Sequence, residues 1–253
     1  MTTPQDPAST YPEAVALGSL AAALVAAAEG CLAGVPVTRI AAAPLLRADV
    51  PSTLPYREPL EISASSRRRR WYVRGTEPFE RMCLVDGSTD DLAEVARAAL
   101  GWYAGAPLEE IRRTAPFVHL TGRFEVPEPD PARLRESEWQ GMRVEAAELD
   151  TPWRETYQAL VEAAHAEPAL RALYPFTSHW ALRFSTTTRP RLTAVGPSLI
   201  AGSDGTYRVE SGLGSGEPGR FTTARATVEA AVRQLPPGLG PVVYGGAAPA
   251  PGG

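Results

Sequence analysis

The chain contains no lysine, and all 25 of its basic residues are arginines. Schiff-base chemistry, pyridoxal-dependent catalysis, the phosphate-loop lysine and the serine–lysine dyad each require a lysine, so these mechanisms are excluded. Arginine-only usage, with abundant alanine, proline and glycine, is typical of GC-rich coding, as in actinobacteria. Because such a genome supplies arginine wherever a positive charge is needed, an arginine alone does not indicate an anion site, although its planar fork suits carboxylates and phosphates.

Cysteine and histidine are also scarce, with two and three residues in the chain. Cys31 and Cys83 lie in apolar contexts and predict neither a disulfide framework nor an activated nucleophile. The histidines, His119, His165 and His179, are far apart, and none has a cysteine, histidine or carboxylate at metal-ligand spacing. The sequence therefore predicts no metal site, and it contains no motif that indicates a cofactor.

Long uninterrupted apolar runs are missing as well. The longest apolar stretch, residues 15–34, is mostly alanine and is broken by glycine, serine and glutamate, which is typical of an amphipathic helix and not of a membrane span. The N-terminus lacks the basic start and apolar core of a signal peptide. We therefore expect a cytoplasmic protein with no membrane partner.

A formal net charge of −4 argues against a nucleic-acid partner. One local exception is the run of four arginines at 67–70, which leads into Trp71 and Tyr72 and could engage phosphates and stacked bases. The alternative is a solvated hairpin turn between two strands, and this is the interpretation we adopt.

Residue periodicity predicts an α+β fold, with antiparallel sheets and helices packed on one face. In the first half, alternating strands precede a helix that carries Leu92, Val95 and Leu100 at the helical period. In the second half, strands precede a helix over 222–235. This shared order suggests two related modules. The predicted strands are 60–64, 71–74, 82–85, 180–185, 192–201 and 206–210.

The domain organisation follows from proline-rich breaks in the pattern. We predict a disordered tail over 1–12, an N-terminal α+β module over 13–125 and a linker over 126–136. A C-terminal α+β module over 137–246 and a second disordered tail over 247–253 complete the chain. Ser137 and Gln140 form a capping-box signature, which predicts that a helix begins there.

The segment 174–189, YPFTSHWALRFSTTTR, combines aromatic residues, arginines and hydroxyls in a way that core strands do not require. Tyr174, Trp180 and Phe184 are predicted to line an apolar pocket, in which Arg183 and Arg189 hold a carboxylate or another polar group. Phe176 and the threonines at 186–188 would complete the pocket. The alternative is plain core packing with a solvated opposite face.

His119 and His179 are the candidate catalytic residues, because each lies in an extended segment rich in aromatic or hydroxyl side chains, where burial could tune an imidazole for proton transfer. Glu125 is a candidate carboxylate partner. The alternative for each histidine is a structural role near a sheet edge. Ser178 and His179 do not form a dyad by adjacency, because neighbouring strand residues point to opposite faces.

Gly214, Gly216 and Gly219 spell the glycine pattern of a dinucleotide-binding loop. The strand before them is half polar, a proline interrupts the pattern, and no parallel βαβ unit surrounds it. We therefore predict a hairpin-to-helix loop here.

Three strings in the second half of the chain carry a family resemblance: LVEAAHAEPALRALYPFTSHWALRFSTTTRP, DGTYRV and VRQLPPGLGPVVYG. With them, most of the chain resembles an uncharacterised actinobacterial family that carries only the label of a natural-product-biosynthesis protein. Upstream, LVDGSTDDLAEVARAA, APFVHLTGRFEVP and SEWQGMR are similar to the same family. The resemblance implies an association with gene clusters for specialised metabolites, and it supplies no catalytic residues.

Two hypotheses of function remain open at this point. In the first, a cytoplasmic protein of specialised metabolism binds or transforms a small-molecule or peptide intermediate. Any chemistry would be acid–base work without a cofactor, such as a cyclisation, an isomerisation or a hydrolysis. In the second, a non-catalytic adaptor recognises a protein partner through a sheet face or edge. The sequence does not decide whether the protein is an enzyme, nor its oligomeric state.

Overall fold

Two antiparallel sheets with helices beside them confirm the predicted α+β class, in a computed structural model that describes residues 7–210 and 219–246. Residues 1–121 form the first unit, which contains a six-stranded sheet in sequential strand order. Residues 122–253 form the second unit, which contains a five-stranded sheet that is also sequential in order. In each unit a strand of the sheet leads directly into a helix, at residues 83–103 in the first unit and at residues 219–232 in the second.

The elements of the first unit lie between Pro7 and Leu120. They are α1 (Pro7–Thr10), α2 (Pro12–Ala16), α3 (Leu20–Ala27), β1 (Thr38–Arg39), β2 (Arg47–Val50), β3 (Leu60–Ala64), β4 (Trp71–Thr76), β5 (Cys83–Thr89), α4 (Leu92–Tyr103), α5 (Leu108–Thr114) and β6 (Val118–Leu120).

Alternation along the strands decides which face of this sheet is buried. Leu60 and Ile62 in β3, and Trp71 and Val73 in β4, are almost fully buried, while the residues between them are more exposed. Because side chains alternate along a strand, the apolar residues of each strand lie on one face, beneath the helices. The result is a sheet with one buried face and one polar face.

Trp102 of α4 anchors the helical layer in the core of the first unit, where it is fully buried. A Cβ added at Gly75 of β4 would lie 2.4 Å from the ring of Trp102, so only glycine allows the helix to approach this closely. The indole Nε1 donates to the carbonyl of Glu58 at 3.0 Å, and the guanidinium of Arg57 lies 4.7 Å from the ring centroid. These contacts fix the position of α4 over the sheet.

In the second unit, too, the helices cover one face of the sheet. The elements of this unit are α6 (Pro131–Glu148), α7 (Arg154–Ala166), α8 (Pro168–Arg171), β7 (Tyr174–Ser178), β8 (Ala181–Ser185), β9 (Ala194–Ala201), β10 (Tyr207–Glu210), β11 (Gly219–Phe221) and α9 (Ala224–Val232). Trp139 of α6 and Tyr157 of α7 are buried in one cluster with Leu182 and Phe184 of β8 and with Leu199 of β9. This cluster holds the helices against one face of the sheet.

Several predicted boundaries differ from the structure. Residues 7–10, placed in the tail over 1–12, are helical, and Tyr11 is buried because its hydroxyl bonds to backbone groups around Arg70 and its ring packs 5.4 Å from that of Trp71. The two units divide at Thr121, before the predicted linker over 126–136. Helix α6 begins inside that linker, because Asp130 caps it. The tail over 247–253 lies outside the described residues.

The predicted capping box was wrong, because Ser137 lies inside α6. Its buried hydroxyl accepts from the backbone N–H of Phe124 at 3.0 Å and donates to the carbonyl of the same residue at 3.1 Å. Arg123 donates its Nε proton to Glu138 at 2.7 Å in a largely buried ion pair. The polar pattern around Ser137 therefore binds the preceding segment to α6, and does not begin the helix.

A loop between β4 and β5 is built around the buried carboxylate of Glu77. Its oxygens accept from the backbone N–H groups of Phe79 at 2.6 Å, Glu80 at 3.0 Å and Met82 at 2.7 Å. Arg81, inside this loop, has a positive φ of 57°. One carboxylate thus accepts from three backbone donors of the loop.

Glu77→Ala should lower the free energy of unfolding by about 2 to 4 kcal/mol, because three backbone donors of the loop lose this carboxylate as an acceptor. Urea denaturation measures the change. Glu109→Ala is the matched control, since this carboxylate is on the exposed surface of α5 and its loss should change stability by less than about 0.5 kcal/mol. Equal stabilities of the two variants would contradict the role given to Glu77.

Candidate functional site

The uncovered face of the first-unit sheet carries a row of charged side chains across four strands and ends at His119 on a fifth. Strand register sets Asp49 of β2 opposite Glu61 of β3, Glu61 opposite Arg74 of β4, Arg74 opposite Asp86 of β5, and Asp86 opposite His119 of β6. Directly paired residues share a face, so all five side chains lie on the same side of the sheet. We call these five residues the charged row.

A second row runs parallel to the charged row. It consists of Arg47, Ser63, Tyr72 and Ser88, which are likewise in direct register. Except for His119, the residues of the two rows line most of a concavity of about 670 Å³, with Ile40 at its margin. This volume is within the range of small-molecule sites. The lining supplies carboxylates, guanidinium groups, hydroxyls and one phenol.

Asp49 and Glu61 are like charges placed directly opposite each other, an arrangement that destabilises a sheet. Partial burial raises the pKa of Asp49, and the carboxylate of Glu61 raises it further, while Arg47 acts in the opposite direction. Two carboxylates are therefore neighbours at this end of the charged row, and a cationic group bound between them would reduce their repulsion.

His119 and Asp86 form a histidine–carboxylate pair at the other end of the charged row. The imidazole Nδ1 lies 3.2 Å from Asp86 Oδ1, and both side chains are about half exposed. When Nδ1 of a neutral imidazole donates to this carboxylate, the lone pair is on Nε2. Asp86 therefore orients the ring as a general base requires.

The predicted site in segment 174–189 lies in the second unit, where its members do not form one pocket. His179 and Trp180 form the exposed two-residue turn between β7 and β8. Phe184 is fully buried on the face covered by helices, with its ring 6.2 Å from that of Trp139. Tyr174 is buried on the opposite face, in a small cluster with Phe176 and Val242.

The two predicted ligand-binding arginines are also separated by structure. Arg183 lies on the face of Tyr174, with its guanidinium 5.4 Å from the ring centroid of Phe176. Arg189 is partly buried in the loop after β8. The pocket prediction treated Trp180 and Phe184 as one face of a strand, but Trp180 precedes β8, and the alternation that relates the two residues begins only at Ala181.

The hydroxyls of this segment bind their own backbone. Ser185 Oγ donates to the carbonyl of Thr187 at 2.7 Å and accepts from the N–H of Thr193 at 2.9 Å. Thr187 Oγ1 donates to the carbonyl of Arg191 at 2.6 Å, and Thr188 Oγ1 accepts from the N–H of Gly245 at 3.2 Å. The hydroxyls close a loop and attach the C-terminal segment, which explains their number without a ligand.

The turn at His179 and Trp180 has backbone strain. Their φ values are 51° and 65°, the left-handed region that a two-residue hairpin requires and that asparagine and glycine adopt most easily. The indole of Trp180 is 44% exposed and makes edge contacts with Trp153 and Tyr157, at centroid distances of 5.4 Å and 6.0 Å. These ring contacts support the strained conformation.

The residues that the sequence analysis missed are those of the charged row other than His119. In the sequence, these residues could be recognised as polar positions that alternate with apolar ones along β2 to β5. They are Asp49, Glu61, Arg74 and Asp86. Strand β2 itself was not predicted, and without strand register these residues could not be placed beside one another.

Two further observations concern absences within residues 7–210 and 219–246. Neither stretch contains a group of three or more histidine, cysteine or acidic side chains arranged to hold a metal ion. No helix in them has the length and apolar character needed to cross a membrane. Gly214 and Gly216 of the glycine pattern lie outside the described residues.

Asp49→Asn should raise the free energy of unfolding at neutral pH. A raised pKa means that the folded protein holds the Asp49 proton more tightly than the unfolded chain does, so ionisation weakens the fold as pH rises above about 4. The gain should disappear in acid, where the carboxyl is protonated in both states. Denaturation at a series of pH values checks this, and a gain independent of pH would contradict it.

His179→Asn should stabilise the second unit by about 0.5 to 1 kcal/mol, because asparagine adopts the left-handed conformation at lower cost. Thermal unfolding measures the gain. His179→Ala serves as control, since alanine keeps the backbone cost and should give no gain. Equal stabilisation by both substitutions would show that the imidazole, and not the backbone, is unfavourable there.

A family model matches part of the chain. No curated protein and no solved structure matched the chain. Residues 133–246, which belong to the second unit and make up less than half of the chain, match the model of DUF6193, a family of unknown function.

Proposed function

We propose that the protein binds a polar small molecule or a short peptide on the open sheet face of the first unit and acts on it by acid–base chemistry without a cofactor. The observation that carries this proposal is the charged row beside a concavity of about 670 Å³, with a histidine–carboxylate pair at its end. The expected setting is a cytoplasmic step of specialised metabolism in an actinobacterium, an interpretation that rests on the family resemblance of the sequence alone.

The charges favour a ligand that has both a cationic and an anionic group. Asp49 and Glu61 would attract an ammonium or guanidinium group, and this would reduce their mutual repulsion. Arg74, between Glu61 and Asp86, and Arg47, opposite Ser63, supply donors for a carboxylate or carbonyl oxygen. Amino acids, peptides and amine-bearing intermediates have this pattern of charge.

His119 would serve as the proton-transferring residue. With Nδ1 donating to Asp86, Nε2 would accept a proton from a ligand and return it to another atom of the same molecule. Such a transfer is sufficient for an isomerisation or a cyclisation, and activation of a water molecule by the same nitrogen would give a hydrolysis. His179, in the exposed turn of the second unit, has no corresponding carboxylate in the described hydrogen bonds and ion pairs.

The adaptor hypothesis would require a large apolar surface or a long free strand edge. The uncovered face of the first-unit sheet is instead mainly charged and hydroxylic, with Tyr72 as its exposed aromatic residue. This composition supports recognition of a polar ligand over association with an apolar partner face.

The test is to incubate the full chain with a small-molecule extract of the producing organism and to identify retained and newly formed compounds by mass spectrometry. The wild-type protein should retain a compound saturably and convert it. Arg74→Gln should weaken retention about tenfold or more, because a charged hydrogen-bond donor is lost. His119→Gln should retain the compound and fail to convert it.

His179→Gln is the matched control and should behave as the wild type in both retention and conversion. Retention that is unchanged in Arg74→Gln would refute the sheet face as the binding site. Retention without conversion by the wild type would refute the enzymatic part of the proposal and favour a binding protein.

A further inference from the structure

A groove in the second unit brings together basic side chains from three helices. Its volume is about 580 Å³, and it is lined by Arg135 and Glu136 of α6, His165 of α7 and Arg171 of α8. Trp139 forms the wall, with its indole Nε1 donating to the carbonyl of Leu173 at 3.1 Å. The imidazole of His165 contacts this indole edge to face, at a centroid distance of 5.4 Å. We call this groove the α6–α8 groove.

The arginines that line the α6–α8 groove differ from nearby arginines in whether they form ion pairs. Arg123 pairs with Glu138, and Arg143 pairs with Glu162 at 2.8 Å. Among the described residues, no ion pair joins Arg135 or Arg171 to a carboxylate. Arg135 Nη1 donates to the carbonyl of Ala172 at 3.3 Å, which fixes the guanidinium and uses only part of its five donors.

From this arrangement we infer that the α6–α8 groove binds a tetrahedral oxyanion, the phosphate group of a small phosphorylated molecule. Two guanidinium groups and an imidazole approach from three different helices, and donors from three directions fit the several terminal oxygens of a phosphate. A planar carboxylate would be bound best by one guanidinium fork. The buried indole of Trp139 provides an apolar wall for the rest of the ligand. This inference does not depend on the function proposed for the first unit.

The surroundings of His165 provide a reporter for such an anion. Partial burial lowers the pKa of His165, and the charges of Arg143 and Arg171 lower it further, while Glu162 acts in the opposite direction. Arg135 and Glu136 of α6 are the other charged groups that line the groove. An anion bound between the arginines would stabilise the imidazolium, so the pKa of His165 should rise when the groove is occupied.

The experiment is a proton NMR titration of the three histidines of the full chain, with His165→Gln used to assign the His165 signal. It is run with inorganic phosphate, with acetate, and with sodium chloride at matched ionic strength. Phosphate should raise the pKa of His165 saturably and should leave the NMR signal of His179 unchanged at constant pH. Arg135→Gln and Arg171→Gln should each weaken the phosphate affinity, measured from this increment, about tenfold or more.

Arg133→Gln is the matched control, because this arginine is also on α6 but lies over the ring of Phe124, at 5.1 Å from its centroid. It should bind phosphate as the wild type does. No phosphate-dependent rise for His165, an equal rise with sodium chloride, or an undiminished rise in both Arg135→Gln and Arg171→Gln would overturn the inference. An equal effect of acetate would overturn the choice of a tetrahedral anion.

Discussion

The first unit depends on the burial of only one face of its sheet. Helix α4, positioned by Trp102 against Gly75, covers the apolar side, and strict alternation in β3 and β4 then forces every second residue to the other side. Once the register is set, polar residues of separate strands become neighbours. The charged row is therefore a direct consequence of the packing that stabilises the fold, and no special loop is needed to assemble it.

The helices and strands that could be predicted from the sequence are those whose hydrophobic pattern is clear within a single segment. β3, β4, the first half of β5 and α4 were predicted because period-two and helical patterns are clear there, whereas the predicted strand over 82–85 ended before Asp86. β1 and β2 were missed, because they are short and follow several prolines. β7 was missed because its turn consists of His179 and Trp180, and neither residue marks a turn in sequence. The chain contains no asparagine that could have indicated this hairpin.

The candidate site could be predicted only in part, and for a physical reason. His119 was identified from its own surroundings, but its partner Asp86 is paired with it only through strand register, across 33 positions of sequence. The hydroxyls of 185–188 gave a false signal, since hydroxyl groups that satisfy backbone donors look the same in sequence as hydroxyl groups that bind a ligand. Register and hydrogen-bond partners are properties of the folded chain.

The edges of the first-unit sheet are short. Strand β1 at one edge has two residues and β6 at the other has three, so each edge presents only a few backbone groups to solvent. Such edges give little template for an added strand, which protects the sheet from growing by association with other chains. A ligand of this unit would therefore contact mainly side chains and few unpaired backbone groups. Its recognition would depend on the identity of those side chains, which makes it selective.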